Sequence, residues 1–156
     1  MADSLVVFAR MLARAYRYED AEQEIISQAL LETTNANFWD VMFQLMKDNE
    51  IHKRILEQMV EDIRVSLEDF REYSARNIKI PVFDFSGNLL AGVLNELLKY
   101  EHWTKNYYGH MLDLADPMLS KEIDRESVEM VQKTLKELTE WEQMHIRKIN
   151  DLLGKI

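Results

Sequence analysis

Acids and histidines interrupt the apolar stripes of this 156-residue sequence. When each helix-forming segment is followed in alternating steps of three and four, a mostly apolar stripe emerges with an ionisable residue near its middle. On successive stripes these residues are Glu19, Asp48 with His52, Glu101, and Glu142 with His145. A buried carboxylate costs several kcal/mol unless it is paired or binds a metal. Interruptions on all four stripes predict one shared polar site, and metal coordination is the chemistry that carboxylates and imidazoles suit.

Two of the histidines occur in related motifs. Glu142 and His145 form a Glu-x-x-His pair, and His52 ends the similar run Asn49-Glu50-Ile51-His52. Residues three apart share one face of a helix, so both side chains of such a pair can reach the same metal site. In the second motif Asn49 stands where a glutamate would supply a charge.

Four helices are predicted to position these residues, because the segments between the chain breaks are rich in good helix formers. The breaks are a polar cluster at 33–37, the proline-bearing run 77–87, and the surroundings of Asp116-Pro117, where Ser120 is available as an N-cap. The predicted helices cover residues 3–33, 36–76, 88–115 and 121–153. The second, at about 41 residues and 61 Å, would extend beyond the first helix and could offer a surface to a partner.

The depth of the polar residues constrains the topology. The first and second helices form an antiparallel pair that places Glu19 level with residue 50, between Asp48 and His52. The third and fourth place Glu101 level with residue 137, about one turn from Glu142. The two pairs share one layer only if helices 2 and 3 run parallel, since an antiparallel arrangement would separate Glu101 from His52. The 11 residues of 77–87 span at most about 36–40 Å when extended, which roughly covers a third helix of about 42 Å. We therefore expect a long crossover between helices 2 and 3.

Composition excludes several function classes. Zero cysteines rule out disulfide scaffolds, zinc fingers, cysteine-ligated iron–sulfur sites and thiol nucleophiles. A net charge of -9 argues against a nucleic-acid surface, while 47% hydrophobic residues exclude a disordered acidic tail. No run has the roughly 18 apolar residues of a membrane span, and no signal peptide is recognisable. We expect a single cytoplasmic domain over 1–156.

The motifs resemble those of the ferritin-like di-iron carboxylate superfamily, and within it the stand-alone rubrerythrin-type domains. That pattern is one Glu from each of two helices and Glu-x-x-His from each of the other two. The resemblance covers nearly the whole chain and implies an all-α, ferritin-like four-helix bundle. It implies metal ligation by Glu19, His52, Glu101, Glu142 and His145. Glu22 is a reserve for Glu19, and Asp48 or Glu50 could replace the charge missing at Asn49.

The resemblance also implies a function and its partners. The expected cofactor is iron, two ions if the site is complete, with manganese or zinc as alternatives. The expected chemistry is reduction of peroxide or dioxygen, or ferroxidase activity, in a homodimer or larger homo-oligomer. A peroxidase would take electrons from a separate protein, because the chain has no cysteine-held rubredoxin module.

A second interpretation stays open. Glu142 with His145, and His52 with a neighbouring carboxylate, could be satisfied core pairs in a bundle that has lost its metal. Asn49 favours this reading, in which the chain is a dimeric interaction module. Tyr16 and Tyr108 could donate hydrogen bonds to the site, although core packing is the ordinary role of such residues. His102 and His110 fall off the stripes and are expected at the surface.

Overall fold

The computed structural model describes residues 3–79 and 89–156, and throughout these ranges the regular structure is helical. The described part of the chain contains five helices: α1 Ser4–Leu31, α2 Ala36–Asp62, α3 Leu67–Asn77, α4 Leu90–Leu119 and α5 Arg125–Leu153. The all-α prediction is confirmed for these residues. None of these helices has a stretch that is both long enough and apolar enough to cross a membrane.

Polar N-caps begin most of the helices. The side chains of Asp3, Asn35, Ser66 and Asp124 each accept a hydrogen bond from a backbone N–H in the first turn of α1, α2, α3 and α5. Such a bond satisfies one of the donors that a helix start leaves unpaired. The cap at Asn35 confirms the predicted break at 33–37, which separates α1 from α2.

The prediction of one helix over 36–76 is wrong, because the chain turns between α2 and α3. Arg64 has φ 61°, a left-handed conformation that ends the helix. Past the turn, α3 contacts α1 instead, since Phe70 is buried and its ring meets Tyr16 edge-on at 5.7 Å between centroids. The predicted extension of helix 2 beyond helix 1 therefore does not exist.

The third predicted break is also misplaced. Pro117 lies within the last turn of α4, which continues to Leu119, and the Ser120 N–H bonds back to the Asp116 carbonyl. Ser120 is thus the C-cap of α4 rather than the N-cap of α5, whose cap is Asp124. The later turn shifts the alignment of α4 with α5 and brings Glu101 level with Glu142.

Contacts between α1 and α4 show how these helices run. Tyr108 donates a hydrogen bond to Glu19 at 2.7 Å, and Thr104 lies 2.5 Å from Glu22. Because the α4 residue number falls as the α1 residue number rises, the two helices are antiparallel. The short turn at Asn35 makes α2 antiparallel to α1 as well, so α2 and α4 run parallel.

The remaining long helix closes the bundle. His145 of α5 meets Asp48 of α2, while Glu142 meets His52, which again is an antiparallel pairing. The parallel arrangement predicted for the helices that carry His52 and Glu101 is therefore present. Residues 80–88 of the predicted crossover lie outside the described residues, so its extended path stays a prediction.

Two hydrophobic clusters form the core. One includes Leu12, Leu56 and Leu135, and the other includes Ile26 and Leu94. Both clusters draw on α1, α2, α4 and α5, and α3 adds Phe70 to the first. The buried acids and histidines occupy positions between these clusters along all four helices. The apolar layers on either side limit access of water to the polar residues and strengthen the electrostatic interactions among them.

Candidate metal centre

The structure brings together the residues that the stripes single out. Each of them is completely buried, with 0% relative exposure: Glu19, His52, Glu101, Glu142 and His145. They come from α1, α2, α4 and α5, so four separate helices must pack correctly to form the cluster. The burial is unusual because acids are almost never fully buried unless they are paired.

Glu19, His52 and Glu142 form the first of two groups with metal-binding geometry. Each residue offers one ligand atom, and these atoms lie within 4.8 Å of one another. His52 Nδ1 is 3.1 Å from Glu19 Oε1 and 3.1 Å from Glu142 Oε1. Its Nε2 atom has no hydrogen-bond partner among the described residues.

Glu101, Glu142 and His145 form the second group under the same distance criterion. His145 Nδ1 is 3.4 Å from Glu101 Oε2 and 3.6 Å from Glu142 Oε2. Glu142 therefore belongs to both groups and directs a different oxygen towards each histidine. The two imidazole rings lie 5.4 Å apart between centroids and are nearly parallel, at 18°. This arrangement allows one carboxylate to bridge two cations.

Asp48 fixes the orientation of His145. Its Oδ2 atom lies 2.9 Å from His145 Nε2 and accepts a hydrogen bond from the Trp141 indole at 3.1 Å. With Nε2 held in this way, His145 presents Nδ1 to the two glutamates. A carboxylate in this position orients a metal-binding histidine and raises its basicity. The Trp141 ring also packs edge-on against His52, at 4.6 Å between centroids.

Neither suggested replacement for Asn49 enters the two groups. Asp48 is engaged with His145 and Trp141, while Glu50 is exposed and pairs with Lys53 at 3.0 Å. Asn49 itself is buried, and both its amide oxygen and its amide nitrogen lack a hydrogen-bond partner among the described residues. An amide oxygen can bind a metal, but it brings no charge.

Three further buried residues border the cluster. Tyr108 donates its hydroxyl proton to Glu19, as suggested for a tyrosine on the stripe. Thr104 lies on a turn that the stripe of the third predicted helix skipped, and it contacts Glu22. Glu22, only a reserve in the sequence analysis, is completely buried beside Glu19. A stripe drawn through Glu22 instead of Gln23 would have found it.

The other candidates lie outside the site. The Tyr16 ring contacts Phe70 and lies under the Lys53 ammonium, 5.5 Å from the ring centroid. His102 and His110 are exposed, as predicted. The polar centre therefore consists of the five predicted ligands and Asp48, together with Glu22, Thr104 and Tyr108.

No protein-family model, no curated protein and no solved structure matches this chain.

Burial and mutual repulsion determine the protonation of the acids. Burial raises the pKa of Glu19 to about 7, with a further rise from the charge of Glu142 and an opposing effect from His52. Burial and the charges of Glu142 and Glu19 raise the pKa of Glu22 well above its ordinary value. Burial and the charges of Glu142 and Glu22 likewise raise the pKa of Glu101 well above its ordinary value.

Glu142 behaves in the opposite way. Burial alone would raise its pKa, but the Glu101 carboxyl, His145 and His52 stabilise the anion and hold the pKa well below the ordinary value. Burial disfavours charged His52, yet the neighbouring Glu19 and Glu142 overcome this effect and raise its pKa to about 10. Without a metal, Glu142 thus remains an anion beside the His52 imidazolium, whereas Glu22 and Glu101 favour their protonated forms.

Proposed function

We propose that this protein binds two metal ions, most suitably iron, in a ferritin-like four-helix bundle and uses them for oxidation chemistry. The observation that carries the proposal is Glu142, whose two oxygens face two different histidines and thereby link two ligand groups. A carboxylate in that position can hold two cations close together while offsetting part of their charge. The parallel run of α2 and α4 supports the ferritin-like assignment, since that fold requires it.

The charge balance of the core supports cation binding. Four glutamates and two histidines are completely buried, whereas no lysine or arginine among the described residues is buried. Buried acids without cationic partners must either keep their protons or bind metal, because an isolated buried charge is very costly. Metal ions would replace the protons and allow the acids to ionise.

The donor atoms fit iron and its close alternatives. Each group offers carboxylate oxygens and one imidazole nitrogen, and such mixed sets suit iron, manganese and zinc, whereas thiolates are absent. Bound iron would supply the redox chemistry for reducing peroxide or dioxygen, or for oxidising ferrous ions. The ligand residues would be Glu19, His52, Glu101, Glu142 and His145.

The chain's own side chains would shape that chemistry. Tyr108 donates to Glu19 and holds its carboxylate in position, and Asp48 holds the His145 ring. Complete burial restricts access to small reactants such as oxygen, peroxide or a metal ion, and it excludes bulk water. A larger electron donor would act from the protein surface, so a peroxidase role requires a separate donor protein.

The metal content of the purified protein tests the proposal. We expect close to two ions per chain after anaerobic loading with ferrous iron, and an increase in near-ultraviolet absorbance when air is admitted. Metal content below about 0.2 per chain, together with no ferrous oxidation, would refute it, because a site of this ligand number should retain its metal.

Asn49 favours a second candidate, a metal-free bundle that acts as a dimeric interaction module. In that case the buried acids would remain protonated, and ferrous iron would neither bind nor oxidise. A homodimer or larger assembly is proposed under both functions. Light scattering on the metal-free and metal-loaded protein would measure the assembly state in each.

A further inference from the structure

Glu22 is a buried acid with one carboxyl oxygen to which no described residue forms a hydrogen bond. It lies one turn after Glu19 on α1, and its side chain is completely buried. Its Oε1 atom lies 2.5 Å from the Thr104 hydroxyl. Its Oε2 atom has no hydrogen-bond partner among the described residues. A buried carboxyl group with one unpartnered oxygen is costly unless something else binds that oxygen.

The two ligand groups are short of one negative charge. Two divalent ions carry four positive charges, whereas the groups contain only the carboxylates Glu19, Glu101 and Glu142. Three residues before His145, α5 carries Glu142, whereas three residues before His52, α2 carries the neutral amide of Asn49. Asp48 and Glu50 do not supply the missing charge, because Asp48 is held by His145 Nε2 and the Trp141 indole, while Glu50 pairs with Lys53.

Glu22 lies beside members of both groups. It is completely buried one turn after Glu19 on α1. Its contact Thr104 is also completely buried and lies one turn after Glu101 on α4. Thr104 fixes one oxygen and leaves the other available to the centre.

We propose that Glu22 is the fourth carboxylate ligand of the two-metal centre, supplied by α1 in place of the one that α2 lacks at Asn49. This inference depends on the proposed metal binding. The centre then contains four carboxylates and two imidazoles, enough to neutralise two divalent ions. The competing role for Glu22 is purely structural, as a protonated acid that packs against Thr104.

Titration with Co2+ under anaerobic conditions distinguishes these roles in the full chain. We expect the wild-type protein to bind about two ions. In Glu22→Gln the second ion should be lost or bind about 10–100-fold more weakly. A loss of this size follows when a residue that only orients a metal ligand is removed, so losing a ligand itself should cost at least as much. Glu24→Gln is the matched control, because Glu24 is exposed on the same helix.

Compensation between the two helices gives a sharper test. In the double variant Glu22→Gln/Asn49→Glu, a carboxylate returns to α2, and we expect the second ion to return. A structural role for Glu22 would not predict this rescue. Glu22→Gln keeps the shape of the side chain, and thermal unfolding of the metal-free variants checks that each remains folded.

Each outcome bears on a specific proposal. Two ions bound with unchanged affinity in Glu22→Gln would overturn the role of Glu22 and leave the proposed metal function intact. A wild-type protein that binds no Co2+ and no Fe2+ would overturn both. Failure of the Asn49→Glu rescue in a folded double variant would show that Glu22 does not replace the missing α2 carboxylate.

Discussion

Raising the pH from about 5.5 to 8 should destabilise the metal-free protein, because buried groups hold protons that the unfolded chain releases. For Glu19 the pKa rises from 4.5 to about 7 on folding, and for His52 it rises from 6.5 to about 10. A group with a raised folded pKa contributes its full stability below the unfolded pKa and loses it as the pH approaches the folded pKa. Both groups therefore act in the same direction.

The size of the destabilisation depends on how much of each group's range, from its unfolded pKa to its folded pKa, lies between pH 5.5 and 8. One pKa unit corresponds to about 1.4 kcal/mol. Glu19 loses stability between pH 5.5 and about 7, and His52 between 6.5 and 8, so each contributes about 2 kcal/mol. Together they lower the free energy of unfolding by about 4 kcal/mol. Glu22 and Glu101, with pKa values raised well above normal, add to the decrease.

The groups with lowered pKa values do not oppose this trend. The pKa of Glu142 is held well below 4.5 and that of Asp48 below 3.8 by their neighbours, against the effect of burial. Their contributions to stability are complete above those unfolded values and disappear only as the pH falls through the lower folded values. Within the window from pH 5.5 to 8 they are constant.

Urea unfolding followed by far-ultraviolet circular dichroism measures the effect on chelator-treated protein at each pH. Glu19→Gln should remove about 2 kcal/mol of the pH dependence, whereas exposed Glu24→Gln should leave it unchanged. Excess ferrous iron under anaerobic conditions should weaken or reverse the trend, because metal binding favours ionised carboxylates. Stability of the metal-free protein that is constant or increases from pH 5.5 to 8 would refute this account of the buried acids.

Three further predictions concern single residues. His145→Ala should abolish metal binding with little loss of circular dichroism at 222 nm, and unchanged metal content would exclude the Glu-x-x-His pair as ligands. Asp48→Asn should weaken metal binding about 10–100-fold in competition with a chelator by loosening the His145 ring, and exposed Glu50→Gln should not. Arg64→Gly should raise the free energy of unfolding by about 1 kcal/mol in urea titrations, because glycine relieves the φ of 61°; a decrease would show that the Arg64 side chain matters more than the backbone strain.

The candidate ligands were predictable because their signal is local. An acid or histidine that falls on an apolar stripe must be buried when the helix packs, and the helical period alone identifies that position. Glu101 and Glu142 illustrate this, since both lie on the predicted stripes and are completely buried. Their pairing also followed from the antiparallel packing of α4 and α5. Placing them at the same depth in the bundle required the true position of the turn between these two helices.

The turn between α2 and α3 was not predictable from local propensity. Neither glycine nor proline occurs between Val60 and Ser66, and the only local signal is the cap formed by Ser66 on the Asp69 N–H. After the turn, α3 packs on α1 through Phe70 and Tyr16, and such a contact is a tertiary property. Pro117 gave the opposite error, because α4 continues through it to Leu119 although proline lacks the N–H that a helical residue donates to the carbonyl four residues earlier.

Glu22 shows why one buried acid was ranked too low. After Glu19, a step of three reaches Glu22 and a step of four reaches Gln23, and both continue to apolar Ile26. The structure buries Glu22, where it meets Thr104, a residue 82 positions away in the sequence. A contact at that distance cannot be inferred from the pattern of one helix.

The buried acids place a common requirement on both proposed functions. One anion on Glu142 can be offset by charged His52, but the other three glutamates need protons or metal ions to remain in an apolar core. Asn49 brings no charge to the cluster. With Glu22 the cluster still contains four glutamates, and none of them comes from α2. A bundle that had merely lost its metal would gain stability by replacing these acids with apolar side chains. Their joint presence around two histidines therefore favours a centre whose acids ionise when metal binds.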